Sequence, residues 1–202
     1  MRNAILLGID PGFASFGYAA LCLAPPPSDR IRVNSIGVFE TEKASKKAHV
    51  LATEDNLKRA REIAAFLEEW IASQDNERNR VIAICAESMS WPRNASVTAK
   101  MGITWGVIAA VARALRIPIF QASPQEVKKT VTGFKSAKKE DVALGVGKRV
   151  AALVAGRQGF MDYVNAIEAI PQTKQEHPID ALAVAMTCAR ADAIQIARRS
   201  LT

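Results

Sequence analysis

The chain has 202 residues, long enough for one sizeable core and short for two full domains. Lys and Arg outnumber Asp and Glu by 27 to 20, and the resulting +7 favours a polyanionic partner, although it also suits a merely basic soluble protein. Cys22, Cys85 and Cys188 lie far apart without metal or disulfide spacing, which argues against a disulfide scaffold and predicts buried thiols in a reducing cytosol.

From the N-terminus, Met1-Arg2-Asn3 leads straight into an apolar run rather than into a signal peptide. That run, Ala4-Ile5-Leu6-Leu7-Gly8-Ile9, is closed by Asp10 and stopped by Pro11-Gly12, so it reads as a buried strand ended by a turn. Strands are expected over 16–23 and 31–41, with Pro25-Pro26-Pro27 in the hairpin loop between them. Residues 41–53, with Lys43, Lys46 and Lys47, have no apolar period and read as a basic loop, either simply solvated or touching nucleic acid. Leu57, Ala60, Ile63, Ala64, Leu67, Trp70 and Ile71 then mark an amphipathic helix. A second buried strand, Val81 to Ala86, is closed by Glu87. A helix over 94–115 and a short strand over 118–122 follow, and then Ser123-Pro124-Gln125-Glu126, a capping box with proline at the first helical position. Gly133 ends that helix, another is expected over 137–154, residues 156–176 carry no readable signal, and a last helix is expected over 177–199. Three strands before the first helix and alternation afterwards predict an α/β fold: a five-stranded mixed sheet flanked by helices, forming one domain over 1–202. No apolar run approaches the roughly 18 residues of a membrane span, so no membrane partner is expected.

The helix over 94–115 has two faces. Val97, Met101, Thr104, Ile108, Val111 and Leu115 form a core stripe, whereas Ala95, Ala99, Gly102, Gly106, Ala109, Ala110 and Arg113 form a face of small residues. Glycine within a helix costs about 0.5–1 kcal/mol relative to alanine, so two on one face suggest close approach of another helix. That helix is either intramolecular or its counterpart in a second subunit about a two-fold axis.

Four acid-type positions stand at element ends. Asp10 and Glu87 close two buried strands, which would bring them together if the strands pair. His177 and Asp180, three apart around Pro178 at a helix start, share one face. Taken singly, Asp10 is a turn residue, Glu87 a solvated strand end and Asp180 a complement to the helix dipole. Taken together, packing does not explain them. Hard divalent ions take oxygen ligands, and three carboxylates with an imidazole suffice for two ions about 3.5–4 Å apart that clamp the attacking and leaving oxygens of a phosphodiester.

Gly8-Ile9-Asp10-Pro11-Gly12 with Gly17-Tyr18, Glu87 leading into Asn94-Ala95-Ser96-Val97, Val127-Lys128-Lys129-Thr130-Val131-Thr132-Gly133 with Ser136-Ala137-Lys138-Lys139, and Asp180-Ala181-Leu182-Ala183-Val184-Ala185 together resemble the RuvC family of Holliday junction resolvases. The resemblance runs from residue 4 to about 190 and implies an RNase H-like fold. It also implies a homodimer that cleaves four-way DNA junctions in recombination and repair. The resemblance makes Asp10, Glu87, His177 and Asp180 catalytic and metal-binding, with two Mg²⁺ per site (Mn²⁺ substituting) and hydrolysis leaving 5′-phosphates. Lys128 and Lys139 match family lysines that bind DNA near the scissile phosphate, and Lys135 joins their basic cluster. Ser90 stands where the family often has an aromatic and Trp91 follows it, so both are candidate DNA contacts. Phe134 is a further candidate for base stacking, although it is expected in the core. Ala99, Gly102, Gly106 and Ala110 would form the dimer interface.

Many family members have Asp where this chain has His177, which is either a metal ligand or a proton carrier whose pKa neighbouring cations would lower. Three other readings share these residues. One is an RNase H-like nuclease of other branched DNA or RNA hybrids, and another a junction-binding protein without catalysis. The third, an ATP-binding protein of the actin and sugar-kinase type, would need a second such domain and a second Asp-x-Gly loop.

Overall fold

The computed structural model describes residues 2–45, 47, 49–89 and 94–201. In β1 (Asn3–Asp10), Ile5, Leu7 and Ile9 serve one apolar cluster while Ala4 and Leu6 serve another, and all five are buried. A strand apolar on both sides belongs in the middle of a sheet covered on both faces. Around it lie β2 (Ser15–Leu23), β3 (Ile31–Glu40), β4 (Asn79–Glu87) and β5 (Ile119–Ala122), in the order β3-β2-β1-β4-β5. β1, β2 and β3 pair antiparallel, whereas β1, β4 and β5 pair parallel.

On the Ile5 face lie α1 (Ala52–Gln74) and α2 (Ala95–Leu115), contributing Ile63, Leu67, Trp70, Ile108 and Val111. On the Ala4 face lie α3 (Pro124–Thr132), α4 (Lys139–Leu153), α5 (Gly156–Glu168), α6 (Glu176–Cys188) and α7 (Asp192–Arg199). The expected capping box forms: the Glu126 amide donates to Ser123 Oγ at 3.3 Å and the Ser123 amide to Glu126 Oε2 at 2.7 Å. Gly133 closes α3 with φ of 91°, a backbone that favours glycine. All three cysteines are buried and free, as expected.

Four expectations need correction. Residues 156–176 are ordered into α5 and a single 3-10 turn, Gln172–Lys174; Phe160, Tyr163, Val164 and Ile167 lean on the core. The final helix is two helices. It breaks after Cys188 so that α7 can bury Ile194 and lay Arg198 over the β2–β3 loop, where its guanidinium donates to Ala24 O at 2.9 Å and to Ser28 O. α1 starts at Ala52, ahead of its apolar stripe, because its first buried turns carry Asp55 and Arg59; Leu57 is 54% exposed. Finally, α2 is by length and composition apolar enough to cross a membrane, contrary to the expectation that no run approaches that length.

α2 owes that apolarity to having little polar surface on either face, although only part of it is buried. The expected core stripe holds at Thr104, Ile108 and Val111, but Val97 and Leu115 near its ends are each 44% exposed. Ala99, Gly102, Gly106, Ala109, Ala110 and Arg113 are all exposed. A Cβ at Gly102 or Gly106 would meet nothing within 4 Å, so among the described residues no helix covers this face.

A buried polar knot ties the turn after Asp10 to α1. Arg59 is 4% exposed, lies 4.4 Å from the Phe13 ring centroid, donates to Thr41 Oγ1 at 2.8 Å and to Phe13 O at 3.4 Å, and pairs with Asp55 at 3.8 Å. Thr41 Oγ1 donates to the same Phe13 carbonyl at 2.7 Å, and Asp55 accepts the Ala44 amide at 2.8 Å.

α6 lies directly on β1 and β2 because glycine faces it. A Cβ at Gly8 would stand 1.9 Å from Ala181 O, and one at Gly17 2.4 Å from His177 O, distances at which backbone must move. Gly8→Ala should therefore destabilise the fold by about 1–3 kcal/mol through overpacking. Gly147→Ala, in α4 with open space around its Cβ, should stabilise it by about 0.5–1 kcal/mol. Urea unfolding of both variants checks the opposite signs.

Candidate active site

Ile9 pairs with Ala86 in the parallel β1–β4 register, which sets Asp10 and Glu87 beside each other at the carboxyl ends of adjacent strands. Open α/β sheets bind their ligands at that edge. The Gly12 amide donates to Asp10 O at 2.8 Å and turns the chain sharply away, leaving the carboxylate at the rim. α6 enters over the same rim with His177 and Asp180 in its first turns, and His177 Nδ1 lies 2.6 Å from Asp10 Oδ2. Thus the four expected acid-type residues come together from three elements.

The carboxylates among them repel one another. Burial, then Asp10 and Glu87, push Asp180 up to about 7, with Lys139 opposing. Glu87 is raised by burial and by Asp10, with Lys128 opposing. His177 is raised, chiefly through its hydrogen bond to Asp10; the protein's own groups thus push it in the direction opposite to that expected from cations. In this arrangement no three His, Cys, Asp or Glu side chains among the described residues are set to hold one ion together. One Asp10 oxygen is engaged by His177 instead. The donor set nonetheless suits a hard cation: half-buried carboxylates raised by one another are the groups that a divalent charge would relieve.

Glu87 stands between two clefts. One, of about 170 Å³, is lined by Glu87, Pro124, Val127, Lys128, Lys139, Val142, Asp180 and Val184, so both expected lysines border the acids. The other, of about 380 Å³, lies past Glu87 and is walled by Phe13, Met89, Val97, Met101 and Trp105, with Asp10, Lys100 and His177 also on its lining. Lys139 donates to Glu176 at 2.6 Å; that bond, opposed by burial and helped by Glu176, Asp180 and Asp10, raises its pKa.

Lys135 is exposed on the far side of Gly133; the Glu126 carboxyl is held low first by its hydrogen bonds to Ser123 and then by Lys135. Phe134, expected in the core, is 72% exposed, because the Gly133 cap turns the chain outward there. Ser90 and Trp91 lie outside the described residues, as does Lys46. Sequence reasoning missed Glu176, Lys100 and Trp105. Glu176 had a signal in its i,i+4 spacing to Asp180, whereas Lys100 and Trp105 had none, because helical position alone does not say which cleft a side chain borders.

Asp180, Glu87 and His177 all hold protons more tightly in the fold than as free side chains. The stability they contribute is complete at low pH and lost as pH rises, for Asp180 between its ordinary 3.8 and about 7. In chelator, Asp180→Asn should therefore melt several degrees above the parent at pH 8, and the gap should close toward pH 4. Adding Mn²⁺ at pH 8 should raise the parent's melting temperature and leave the variant's nearly unmoved. Thermal melts across that pH series provide the check.

Comparison with known proteins places the chain in a family. The family model described as crossover junction endodeoxyribonuclease RuvC matches residues 6–158. The RuvC of Pseudothermotoga lettingae is 30% identical over 138 residues, covering 68% of this chain and 75% of the relative. That of Heliobacterium modesticaldum is 28% identical over 185 residues, covering 92% of this chain and 93% of its own. Among solved structures, T. thermophilus RuvC in complex with Holliday junction substrate superposes with a TM-score of 0.64 at 23% identity, covering 92% of each chain. The yeast mitochondrial Holliday junction resolvase does so with a TM-score of 0.64 at 14% identity, covering 99% of this chain and 85% of its own. These likenesses identify the five-stranded mixed sheet as an RNase H-like fold. With the strand ends bearing Asp10 and Glu87 and the lysines of α3 and α4 all inside the matched span, the chain belongs to the RuvC family of crossover junction endodeoxyribonucleases.

Proposed function

We propose that this chain is one nuclease domain that, as a homodimer in the compartment of the DNA, resolves four-way (Holliday) junctions by metal-dependent hydrolysis of phosphodiester bonds. The observation that carries the reading is the meeting of Asp10, Glu87, His177 and Asp180 at one sheet edge, bordered by Lys128 and Lys139. Two Mg²⁺ ions, with Mn²⁺ substituting, would supply activation of a water and charge stabilisation at the leaving oxygen. Asp10 would hold both, Glu87 one and Asp180 the other. Lys128 and Lys139 draw the phosphate toward the acids, contacts that position the substrate without reading its sequence. Lys139 would exchange Glu176 for a phosphate oxygen at little cost, since an exposed ion pair is worth about 0–1 kcal/mol.

His177 either completes a ligand set or accepts a proton at Nε2, the ring nitrogen not bonded to Asp10, and it must be neutral for both. The exposed small face of α2 supports the dimer: Ala99, Gly102, Gly106 and Ala110 admit a second backbone closely and, among the described residues, have no helix against them.

The central test is Mn²⁺- or Mg²⁺-dependent nicking of a labelled junction, compared with flap, duplex and hybrid substrates. Asp10→Asn, Glu87→Gln and Asp180→Asn should each abolish cleavage and leave junction binding largely intact; a folded Asp10→Asn protein that cuts at the parental rate refutes the site. His177→Asp should keep measurable cleavage, shift preference from Mn²⁺ toward Mg²⁺ and extend activity to lower pH. His177→Ala should be far slower at every pH.

Two further variants test the contacts. Lys128→Ala and Lys139→Ala should each lower the salt dependence of junction binding by about one unit of slope. Gly106→Leu should be monomeric by light scattering while keeping its fold, because open space surrounds that position and leucine favours the helix.

A further inference from the structure

The two clefts on either side of Glu87 differ in chemistry. One offers Lys128 and Lys139; the other offers Phe13, Met89, Val97, Met101 and Trp105. Neither a metal nor a phosphate needs the second set, and a folded core does not use it fully, since Val97 is 44% exposed. Trp105 is the only described residue with a buried side-chain nitrogen or oxygen lacking a hydrogen-bond partner. The indole ring is thus held by packing against the Ile5-face cluster and by no hydrogen bond among the described residues.

A nucleotide chain presents a phosphate and, a few ångströms away, an aromatic base with apolar faces and polar edges. A base paired and stacked in a duplex cannot enter a cleft, whereas one released from its stack can. Lys100 borders the same cleft and offers a cation to the backbone that leads into it. The space, about 380 Å³, is ample for one base and too small for a stretch of duplex.

We propose that the Phe13–Met101–Trp105 cleft receives one unstacked nucleobase of the strand being cut, close to the phosphate drawn in by Lys128 and Lys139. Trp105 is the stacking surface and Lys100 holds the adjoining backbone. The assignment rests on the nuclease reading above and makes this cleft a determinant of where the strand is cut.

The test walks a single abasic nucleotide through the positions flanking the mapped cut in a labelled junction. Single-turnover cleavage is measured in Mn²⁺ and binding by anisotropy in chelator. At one position, loss of the base should slow the parent by about tenfold, the scale of one base–aromatic stack. In Trp105→Ala the same loss should change the rate little, and Trp105→Phe should restore most of the parent's discrimination. Val97→Trp, filling the cleft from an exposed position, should also erase the difference and guards against misfolding of the alanine variant. The proposal is overturned if base removal matters nowhere in the parent, or if the intact-to-abasic ratio is the same in parent, Trp105→Ala and Val97→Trp. A parent that cuts neither junction would refute the nuclease reading alone, because the ratio of dissociation constants for intact and abasic junctions, parent against variants, would still decide the cleft.

Discussion

The close approach of α6 to β1 and β2 is the constraint on which the rest of the site depends. It exists because Gly8 and Gly17 have no side chain where Ala181 and His177 place their carbonyls. With the helix axis so near the sheet, the first turns of α6 overhang the strand ends, and His177 reaches Asp10 at 2.6 Å. A helix held one side chain further out would leave Asp180 in solvent and Glu87 without a counterpart. The two glycines thus shape the site through packing, by leaving room for the backbone of α6.

Crowding acids at that edge opposes folding, as the raised Asp180 and Glu87 carboxyls show. Lys128 and Lys139 offset part of this repulsion, and Glu176 in turn holds Lys139. Local choices elsewhere agree with the fold: two-sided apolar strands, a complete capping box on α3, glycine where a left-handed cap is needed. The acidic edge is one place where local and global preference disagree, as expected where a surface is shaped for a ligand.

Most of this was legible in the sequence. Strand ends closing on Asp10 and Glu87, and the i,i+3 pair at 177 and 180, needed only periodicity and turn residues. What stayed hidden has physical reasons. The 160/163/164/167 apolar spacing of α5 follows a first turn that carries Gly156 and Gly159, and it supplies one buried residue, Tyr163. The break after Cys188 has no proline or glycine to announce it; burial of Ile194 and the Arg198 contacts impose it from outside the segment. The start of α1 was misplaced because its first buried positions are Asp55 and Arg59, which a hydrophobic pattern counts as solvent-facing. Phe134 was expected inside on its chemistry alone, whereas the cap at Gly133 decides its direction.

The Arg59–Asp55 pair limits how this chain can change. Arg59 and Asp55 are 4% and 5% exposed, and between them they hold the Phe13 carbonyl, the Thr41 hydroxyl and the Ala44 amide. Losing one partner strands the other charge in the interior, at about 3–5 kcal/mol, whereas exchanging both for apolar residues of similar volume can be neutral. Positions 55 and 59 are therefore free to change only together. A lineage that makes the double exchange also loses the clamp on the turn after Asp10. Change at this buried pair would then be constrained by the accuracy with which the first carboxylate is aimed.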